Sequence, residues 1–494
     1  MSQATGLAGL LGLPGVEFDT VEREDDGSWT AHVTSAPGRR AGCPGCGRAA
    51  DRAKERTAHS VKHLALVPVR VTWHKARFWC GNDGCGTASF AEARPVADAG
   101  AGVSAAARTV MGHLVGDWLV PVSRVAAAAG VSWHTAHDAF DGVAAEAGIC
   151  LTDAKTSAEA EAQPRPGPDA DGEPGAGGAT GPGRDGPGVL PPVGVLGIDD
   201  HRRGKPLYHR DPASRAWVAD ADRWQTVFVD AAGGHGLLGQ VDGRTKTDVT
   251  SWLVGQDPAW RAAVDYVTID MSTVYKSAVA GSGLLPNARL IVDVFHVIQL
   301  ANKTVGDVRR RVTYARRGRR GRAGDLEYTI KNPLRRGQER LSATARHKLL
   351  CALADLGDAG RQIGAAWRAK ELLRDLVKLS PNQTGLAATR DQIATALQAF
   401  FDFAATTGAS VPEIQTLAET ISTWRAEIAR AVLTGHSNAA AEGVNRLIKL
   451  AYRSAFGFTN VTNQQRRSRY AASRSTRPEW PHPVTTDPSQ TVAA

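Results

Sequence analysis

Gly197-Ile198-Asp199-Asp200, Val267-Thr268-Ile269-Asp270 and Ser437-Asn438-Ala439-Ala440-Ala441-Glu442-Gly443-Val444-Asn445 are the stretches on which the fold turns. The first two are apolar runs ending in aspartate. Val193, Val195, Leu196 and Ile198 in one, and Val264, Tyr266, Val267 and Ile269 in the other, are short β-branched stretches bounded by Gly, Pro and polar residues, the pattern of buried strands. Each predicts a carboxylate at the C-terminal end of its strand. The third stretch predicts a helix. Val444, Leu447, Ile448 and Ala451 recur at i, i+3, i+4, i+7 and line one face, leaving Glu442, Asn445, Arg446, Lys449 and Arg453 on the other. An acid beside cations on that face suits metal-assisted chemistry on a phosphate polymer; an ordinary solvated helix face is the plainer alternative.

Working outward, Gln225-Thr226-Val227-Phe228-Val229-Asp230, Gly236-Leu237-Leu238-Gly239-Gln240-Val241 and Leu290-Ile291-Val292-Asp293 add three more strands, with helix-like sequence before the last. Strands followed by crossover helices indicate an α/β domain. Beyond Phe295 the period becomes helical: Leu372, Leu373, Leu376 and Val377 form one stripe, and Ile414, Leu417, Ile421, Trp424 and Ile428 another. This block separates Asp270 from Glu442, so the carboxylates meet only if it is an insertion that leaves the sheet and returns. Inside it lie Arg309, Arg310, Arg311, Arg316, Arg317, Arg319, Arg320 and Arg322, followed by Lys331, Arg335 and Arg336, with Tyr314 and Tyr328 interleaved. Such density favours contact with a phosphate backbone, which gives orientation and salt-dependent affinity rather than sequence reading. A solvated cationic face is the alternative.

The overall balance agrees with a polyanionic partner. Lys and Arg number 59 against 50 Asp and Glu over 494 residues, a net charge of +9 and a pI near 9.4, so the mean field favours phosphate. The length implies several domains. Hydrophobic residues at 42% supply packed cores, yet no uninterrupted apolar run is long enough to cross a bilayer, which argues against a membrane partner. The N-terminus lacks the basic start of a secretory signal. The expectation is a soluble cytoplasmic protein, nucleoid-associated when bound to DNA.

Four of the six cysteines fall in two close pairs, Cys43-Pro44-Gly45-Cys46 and Cys80-Gly81-Asn82-Asp83-Gly84-Cys85, leaving Cys150 and Cys351 isolated. Two turns with two thiolates each can close a tetrahedral structural zinc site, and four sulfurs leave no open position for catalysis. Between them, Val67-Pro68-Val69-Arg70-Val71-Thr72-Trp73 and Arg77-Phe78-Trp79 alternate like ribbon strands. Unligated buried thiols are the alternative, and His59, His63 and His74 are conceivable substitute ligands.

After this ribbon, Val110, Met111, Leu114, Val115 and Trp118 mark a helix. In Ser123-Arg124-Val125-Ala126-Ala127-Ala128-Ala129-Gly130-Val131-Ser132-Trp133-His134-Thr135-Ala136, Ser123 can cap a short helix, Gly130 can turn, and Ser132 can cap the next helix. That is a helix-turn-helix pattern, which would present Trp133, His134 and Thr135 to base edges; a plain alanine-rich hairpin is the alternative. From Ala154 to Pro192 the chain is crowded with Pro, Gly, Ala and charge, too poor in apolar residues to build a core, and reads as a flexible tether.

In this order the motifs resemble the bacterial insertion-sequence transposases of the ISL-three type. The resemblance is carried by Cys43 to Gly47, Gly197 to Asp200, Ile269-Asp270-Met271 with Tyr275, Leu285-Pro286-Asn287-Ala288, Asp293-Val294-Phe295-His296-Val297, Asn438 to Asn445 with Ile448-Lys449, and Arg453-Ser454-Ala455-Phe456-Gly457-Phe458. It covers nearly the whole chain except the tether and the residues after about Tyr470. It implies a ribonuclease-H-like core with Asp199, Asp270 and Glu442 as a DDE triad holding two magnesium or manganese ions. Cleavage and strand transfer at terminal inverted repeats of double-stranded DNA would follow, in a homodimer or higher assembly. Asp200 stands where the family commonly has glutamate, and the tether is expanded. Asp293 also ends an apolar strand and competes with Asp270 on geometry, while His296 is either a DNA-positioning or a structural histidine. A catalytically inactive, transposase-derived DNA-binding regulator is the rival reading.

The expected architecture is therefore multidomain. A zinc ribbon spans 1–95, a helix-turn-helix 96–150 and the linker 151–192. An α/β ribonuclease-H-like catalytic core covers 193–298 and 433–470, interrupted by an all-α insertion over 299–432, and a disordered tail covers 471–494. The expected DNA contacts are Trp133, His134, Thr135, Arg309, Arg310, Arg311, Arg316, Arg317, Arg319, Arg320, Asn445, Lys449 and Arg453.

Overall fold

The computed structural model describes residues 13–149, 190–458 and 460–473, apart from 14, 37–40, 51–52, 65–67, 93–95, 99, 205–207 and 220–222. The expected linker, all but its last residues, and nearly all of the expected tail lie outside the described residues, as does Cys150. The chain forms two compact units, residues 1–188 with 447–494 and residues 189–446.

The first unit opens with seven strands: β1 (Val16–Arg23), β2 (Trp29–Ser35), β3 (Ala41–Gly42), β4 (Ala49–Ala50), β5 (Ala53–Leu64), β6 (Pro68–Trp79) and β7 (Ser89–Ala91). The main sheet runs β1-β2-β6-β5 with β7 paired to β6. The two short strands expected at Val67–Trp73 and Arg77–Trp79 are one continuous β6, because β5 pairs antiparallel along its length. Val71 and Trp73 are buried at alternate positions of β6 against Ala31, Val33 and Val61. β5 escaped notice since its sequence, Ala-Lys-Glu-Arg-Thr-Ala-His-Ser-Val-Lys-His-Leu, is mostly polar.

Three helices follow: α1 (Ala105–Gly116), α2 (Val122–Ala129) and α3 (Trp133–Glu146). Gly130 turns with φ 62°, and the Ser132 side chain accepts from the Thr135 backbone N–H to start α3. The cap expected at Ser123 is absent; α2 begins two residues earlier than that cap implies, behind Pro121, with no side-chain cap. Met111, Val115, Val125, Ala136, Phe140 and Val143 form the core between these helices.

The second unit is built on β8 (Val195–Arg202), β9 (Tyr208–Arg210), β10 (Trp217–Ala219), β11 (Trp224–Asp230), β12 (Leu237–Asp242), β13 (Tyr266–Ile269) and β14 (Arg289–Val292). Five of these strands make a sheet in the order β12-β11-β8-β13-β14. β11 is antiparallel to both its neighbours, while β8, β13 and β14 are mutually parallel. Between strands stand α4 (Lys246–Val254), α5 (Pro258–Ala262) and α6 (Thr273–Ala280). From residue 294 to 434 every regular element is helical, as expected: α7 (Val294–Arg317), α8 (Leu326–Thr329), α9 (Lys331–Arg335), α10 (Ala343–Asp355), α11 (Asp358–Lys378), α12 (Pro381–Thr384), α13 (Arg390–Ala405), α14 (Pro412–Thr423) and α15 (Arg425–Thr434). One continuous apolar core joins Leu196, Ile198, Val267, Ile269 and Val292 of the sheet to Val305, Ile363, Leu373, Phe400 and Ile414 of these helices. The helical block is thus part of the same packing unit as the sheet.

The chain returns as α16 (Ala439–Ser454) and α17 (Val461–Ala472). The segment 433–470, expected in one piece with the sheet, is divided within α16 between Arg446 and Leu447, and α17 belongs to the first unit. There Tyr470 meets Phe140 edge-on at 5.5 Å between ring centres, in space that Gly116 leaves by lacking a Cβ. Arg467, 2% exposed, donates to the Val120 carbonyl at 3.0 Å. No helix among the described residues is long and apolar enough to cross a membrane.

Candidate active site

The parallel register of β8 and β13 pairs Val195 with Tyr266 and Ile198 with Ile269. The next residues on the two strands are Asp199 and Asp270, so the register sets these carboxylates on adjacent strands, roughly 4.8 Å apart in backbone spacing. β13 ends there. The expectation that β8 also ends at Asp199 does not hold: β11 continues to pair with it through Arg202. Past Ile198 one edge of β8 is therefore free of β13, and α16 approaches that opening.

Two asparagines, Asn438 just before α16 and Asn445 within it, hold the helix in place. Asn438, fully buried, donates toward the Ile198 carbonyl at 3.4 Å and accepts from the Thr268 hydroxyl at 3.1 Å. Gly197 lies beneath it, where a Cβ would stand a tight 3.1 Å from Asn438 Oδ1. Two turns on, Asn445 Nδ2 donates to Asp199 Oδ2 at 2.7 Å. Asn445 was expected on the DNA-facing side but is only 4% exposed. The buried stripe is Ala441, Val444, Asn445 and Ile448, and position 445 falls inside it by the same helical spacing that identified its neighbours.

Strand alternation sends Asp199 and Asp200 to opposite faces. Asp199 meets α16, whereas Asp200 Oδ2 accepts from the Tyr275 hydroxyl of α6 at 3.0 Å. Burial and the charge of Asp270 push the Asp199 carboxyl up to about 7. The Asp270 carboxyl is also raised, by burial above all and by Asp293 and Asp200, against the lowering influence of His296. His296 Nδ1 lies 3.0 Å from Asp270 Oδ1. Asp293 is 3% exposed and spends Oδ1 on the Phe295 backbone N–H at 2.9 Å, capping α7. Glu442, one turn before Asn445, pairs with Arg446 at 3.6 Å and lines a cavity of about 250 Å³ with Asp293 and Phe295. The oxygens of Asp199, Asp270 and Glu442 do not all lie within 4.8 Å of one another, whereas the sulfurs of the four paired cysteines do.

A family model for DDE transposases of the ISL3 type, described as transposase, matches residues 217–468, just over half of the chain. This chain belongs to that family. Asp270 and Glu442 lie within the matched region and Asp199 precedes it. Comparison with curated proteins found no match. Membership makes this protein a transposase, with DNA as its partner.

The four cysteines of this transposase converge as expected. Cys43 and Cys85 sulfurs are 3.8 Å apart and Cys46 and Cys80 sulfurs 3.6 Å. Zinc–sulfur bonds of about 2.3 Å in a tetrahedron give sulfur separations of about 3.8 Å, so the donor set fits zinc. Gly45 is needed for this closure: a Cβ there would lie 2.6 Å from Thr87 Oγ1 and 3.1 Å from Cys85 Sγ. The Arg48 backbone N–H and the Asn82 side chain pull Cys46 down to about 6. Cys80, despite the Asn82 backbone N–H, is pushed up to about 12 by burial and its neighbouring thiols. His59, His63 and His74 stand elsewhere: His59 meets the Ala101 carbonyl, His63 the Ser104 hydroxyl and His74 the His32 ring.

At the start of α3, Trp133 and His134 are exposed and Thr135 partly so, with Trp133 stacked on His137 at 4.8 Å. Lys449 and Arg453 are exposed on α16. Much of the arginine run is engaged internally. Arg309 is 8% exposed, Arg311 pairs with Glu413 at 2.6 Å, Arg316 lies 3.7 Å from Glu327, Arg317 holds Glu327 at 3.0 Å and Arg319 holds Asp325 at 2.7 Å. Arg310, Arg311, Arg316 and Arg320 are nonetheless exposed, Arg310 beside Asp307. The sequence shows Asp307 and Asp325 beside the run, but not that Glu413, remote in sequence, pairs with Arg311.

Proposed function

We propose that this transposase cuts and joins DNA at the terminal inverted repeats of an insertion sequence, through Asp199, Asp270 and Glu442 in a ribonuclease-H-like core. The observation that carries the reading is the in-register placement of Asp199 and Asp270 on adjacent parallel strands, with the Glu442 helix pinned beside them by Asn438 and Asn445. Three carboxylates offer only oxygen, the donor that hard divalent cations take. The raised Asp199 carboxyl reflects two like charges forced together out of water, a cost that bound cations offset. Asp199, Asp270 and Glu442 would hold magnesium or manganese, two such ions being the complement that phosphodiester cleavage and joining can use. When bound, such ions activate the attacking oxygen and stabilise the departing 3′ oxygen.

The protein's own part is positional. Asp199 and Asp270 hold their oxygens at the sheet opening, Asn445 fixes the rotamer of Asp199, and Glu442 closes the set from α16. Four thiolates would hold structural zinc, and α2 and α3, read as a helix-turn-helix, would read the repeats with Trp133, His134 and Thr135. Pairing two ends implies a dimer or larger assembly on DNA. The test is nicking and strand transfer by purified protein with magnesium on DNA carrying the element's own ends. Loss of both in folded Asp199→Ala, Asp270→Ala and Glu442→Ala supports the triad; normal cutting by all of them overturns it, and repeat binding without cutting under any divalent ion favours a regulator.

A further inference from the structure

A groove of about 1080 Å³ opens beside Asp270 and is lined along one side by α7. Its α7 residues recur every three or four positions, from Phe295 and His296 through Asn302 and Lys303 to Gly306 and Arg310. They form one helix face about 22 Å long at a rise of about 1.5 Å per residue. Lys331 and Arg335 of α9 also line it. Cationic side chains thus border the groove. Lys303 and Arg310 are 70% and 62% exposed and share one acid, Asp307, while other arginines of the run are held in ion pairs away from it.

At the carboxylate end stands Phe295, 57% exposed. The same ring lines the smaller cavity that contains Glu442 and Asp293, so it borders both the Asp270 side and the Glu442 side of the site. A lone exposed phenylalanine means nothing by itself. Here an apolar face, a row of cations and the Asp270 carboxylate share one concave surface. Cations along a groove with an aromatic platform are the elements by which proteins hold single-stranded nucleic acid. A groove of about 1080 Å³ has room for a few nucleotides.

We propose that this groove binds a short single-stranded DNA segment, its phosphates against Lys303, Arg310, Lys331 and Arg335 and one base stacked on Phe295. The proposal takes its direction from the reading of the carboxylates as a DNA-cutting centre, but the binding itself needs no metal and no cleavage.

The experiment uses the full chain in EDTA with two probes: a fluorescent single-stranded oligonucleotide, and a duplex with a short single-stranded overhang carrying 2-aminopurine, whose emission falls on stacking. Wild type quenches the overhang. Phe295→Ala abolishes the quenching and weakens single-strand binding by about 5- to 150-fold, the span for one stacked base, and leaves blunt duplex affinity within about twofold. Phe295→Trp restores both signals. Lys331→Ala with Arg335→Ala lowers the salt slope of single-strand binding by about 0.7 per lost phosphate contact. Equal quenching in wild type and Phe295→Ala, or parallel loss for blunt duplex and single strand, overturns the proposal. Groove-dependent stacking in a protein that never nicks DNA refutes the cutting reading and leaves this one standing; triad-dependent cutting without Phe295-dependent stacking refutes this one alone.

Discussion

Removing one charge from the carboxylate pair should stabilise the cation-free protein. The Asp199 carboxyl is pushed up to about 7 from 3.8 by burial and the charge of Asp270. The folded chain therefore holds this proton more tightly than the unfolded chain, so the site's contribution is greatest below about pH 4 and is lost as pH rises toward 7. About three pH units at 1.36 kcal/mol each set a ceiling near 4 kcal/mol, which solvent at this partly open position reduces to about 2 kcal/mol. Asp199→Asn cannot ionise and keeps an oxygen for the Asn445 amide. Near pH 8 in EDTA it should exceed wild type by about 2 kcal/mol, a rise of about 4–8 °C in the melting of a unit this size. At pH 4 the two should melt together, and manganese should narrow the gap at pH 8 by stabilising wild type alone. Calorimetric melts from pH 4 to 8.5 measure this. A variant less stable than wild type at pH 8, or a gap independent of pH, would refute the electrostatic account.

Asn445→Ala should keep the fold and lower metal-dependent nicking by about 10–100-fold, the usual consequence of losing the residue that orients a ligand; nicking titrated against manganese measures it, with wild-type rates at low metal counting against the positioning role. Cys80→Ser should release zinc to a colorimetric chelator and lower the melting temperature of the first unit, with zinc content by mass spectrometry as the check. Lys370 and Glu371 are both fully buried and 2.7 Å apart, and Lys370 also donates to the Leu334 and Arg336 carbonyls. Lys370→Ala should cost about 3–5 kcal/mol in denaturant unfolding, because it leaves Glu371 charged and buried beside fewer partners.

Local pattern carried the sheet and the carboxylates. β-Branched runs located β8, β11, β13 and β14, and the cysteine spacing located the sulfur cluster, because each depends on neighbours within a few residues. What stayed hidden was set by partners remote in sequence. β8 reaches Arg202 only because β11 pairs with it, and polar β5 is a strand only because β6 lies beside it. Arg467 reads as surface until the Val120 carbonyl accepts its guanidinium. Arginine density promised a DNA grip, yet Glu413, more than a hundred positions from Arg311, neutralises part of it. Asn445 was the one recoverable miss, since the spacing of Ala441 and Ile448 already included it.

Asp270 and Asp293 each follow the last residue of a parallel strand, and the element after each explains why they are not equivalent. After Asp270 come Met271 and Ser272, and the Ser272 side chain caps α6. Asp270 is thus spared that duty and turns to His296 at 3.0 Å. After Asp293 the helix begins at once, and its Oδ1 serves as the cap. That cap launches α7 directly from the sheet, which brings His296 to Asp270 and the row from Phe295 to Arg310 to the groove. Capping thus occupies one oxygen of Asp293, whereas neither oxygen of Asp270 is spent on a helix start. Asp293→Ser, which preserves a cap, should retain nicking within about tenfold, while Asp293→Ala loses about 1 kcal/mol of stability. Asp270→Ser should lose nicking altogether with no loss of stability, since it too removes one charge of the pair. Gel assays on DNA with cognate ends separate these outcomes: if Asp293→Ser is as dead as Asp270→Ser while melting like wild type, Asp293 is a ligand and the capping argument fails.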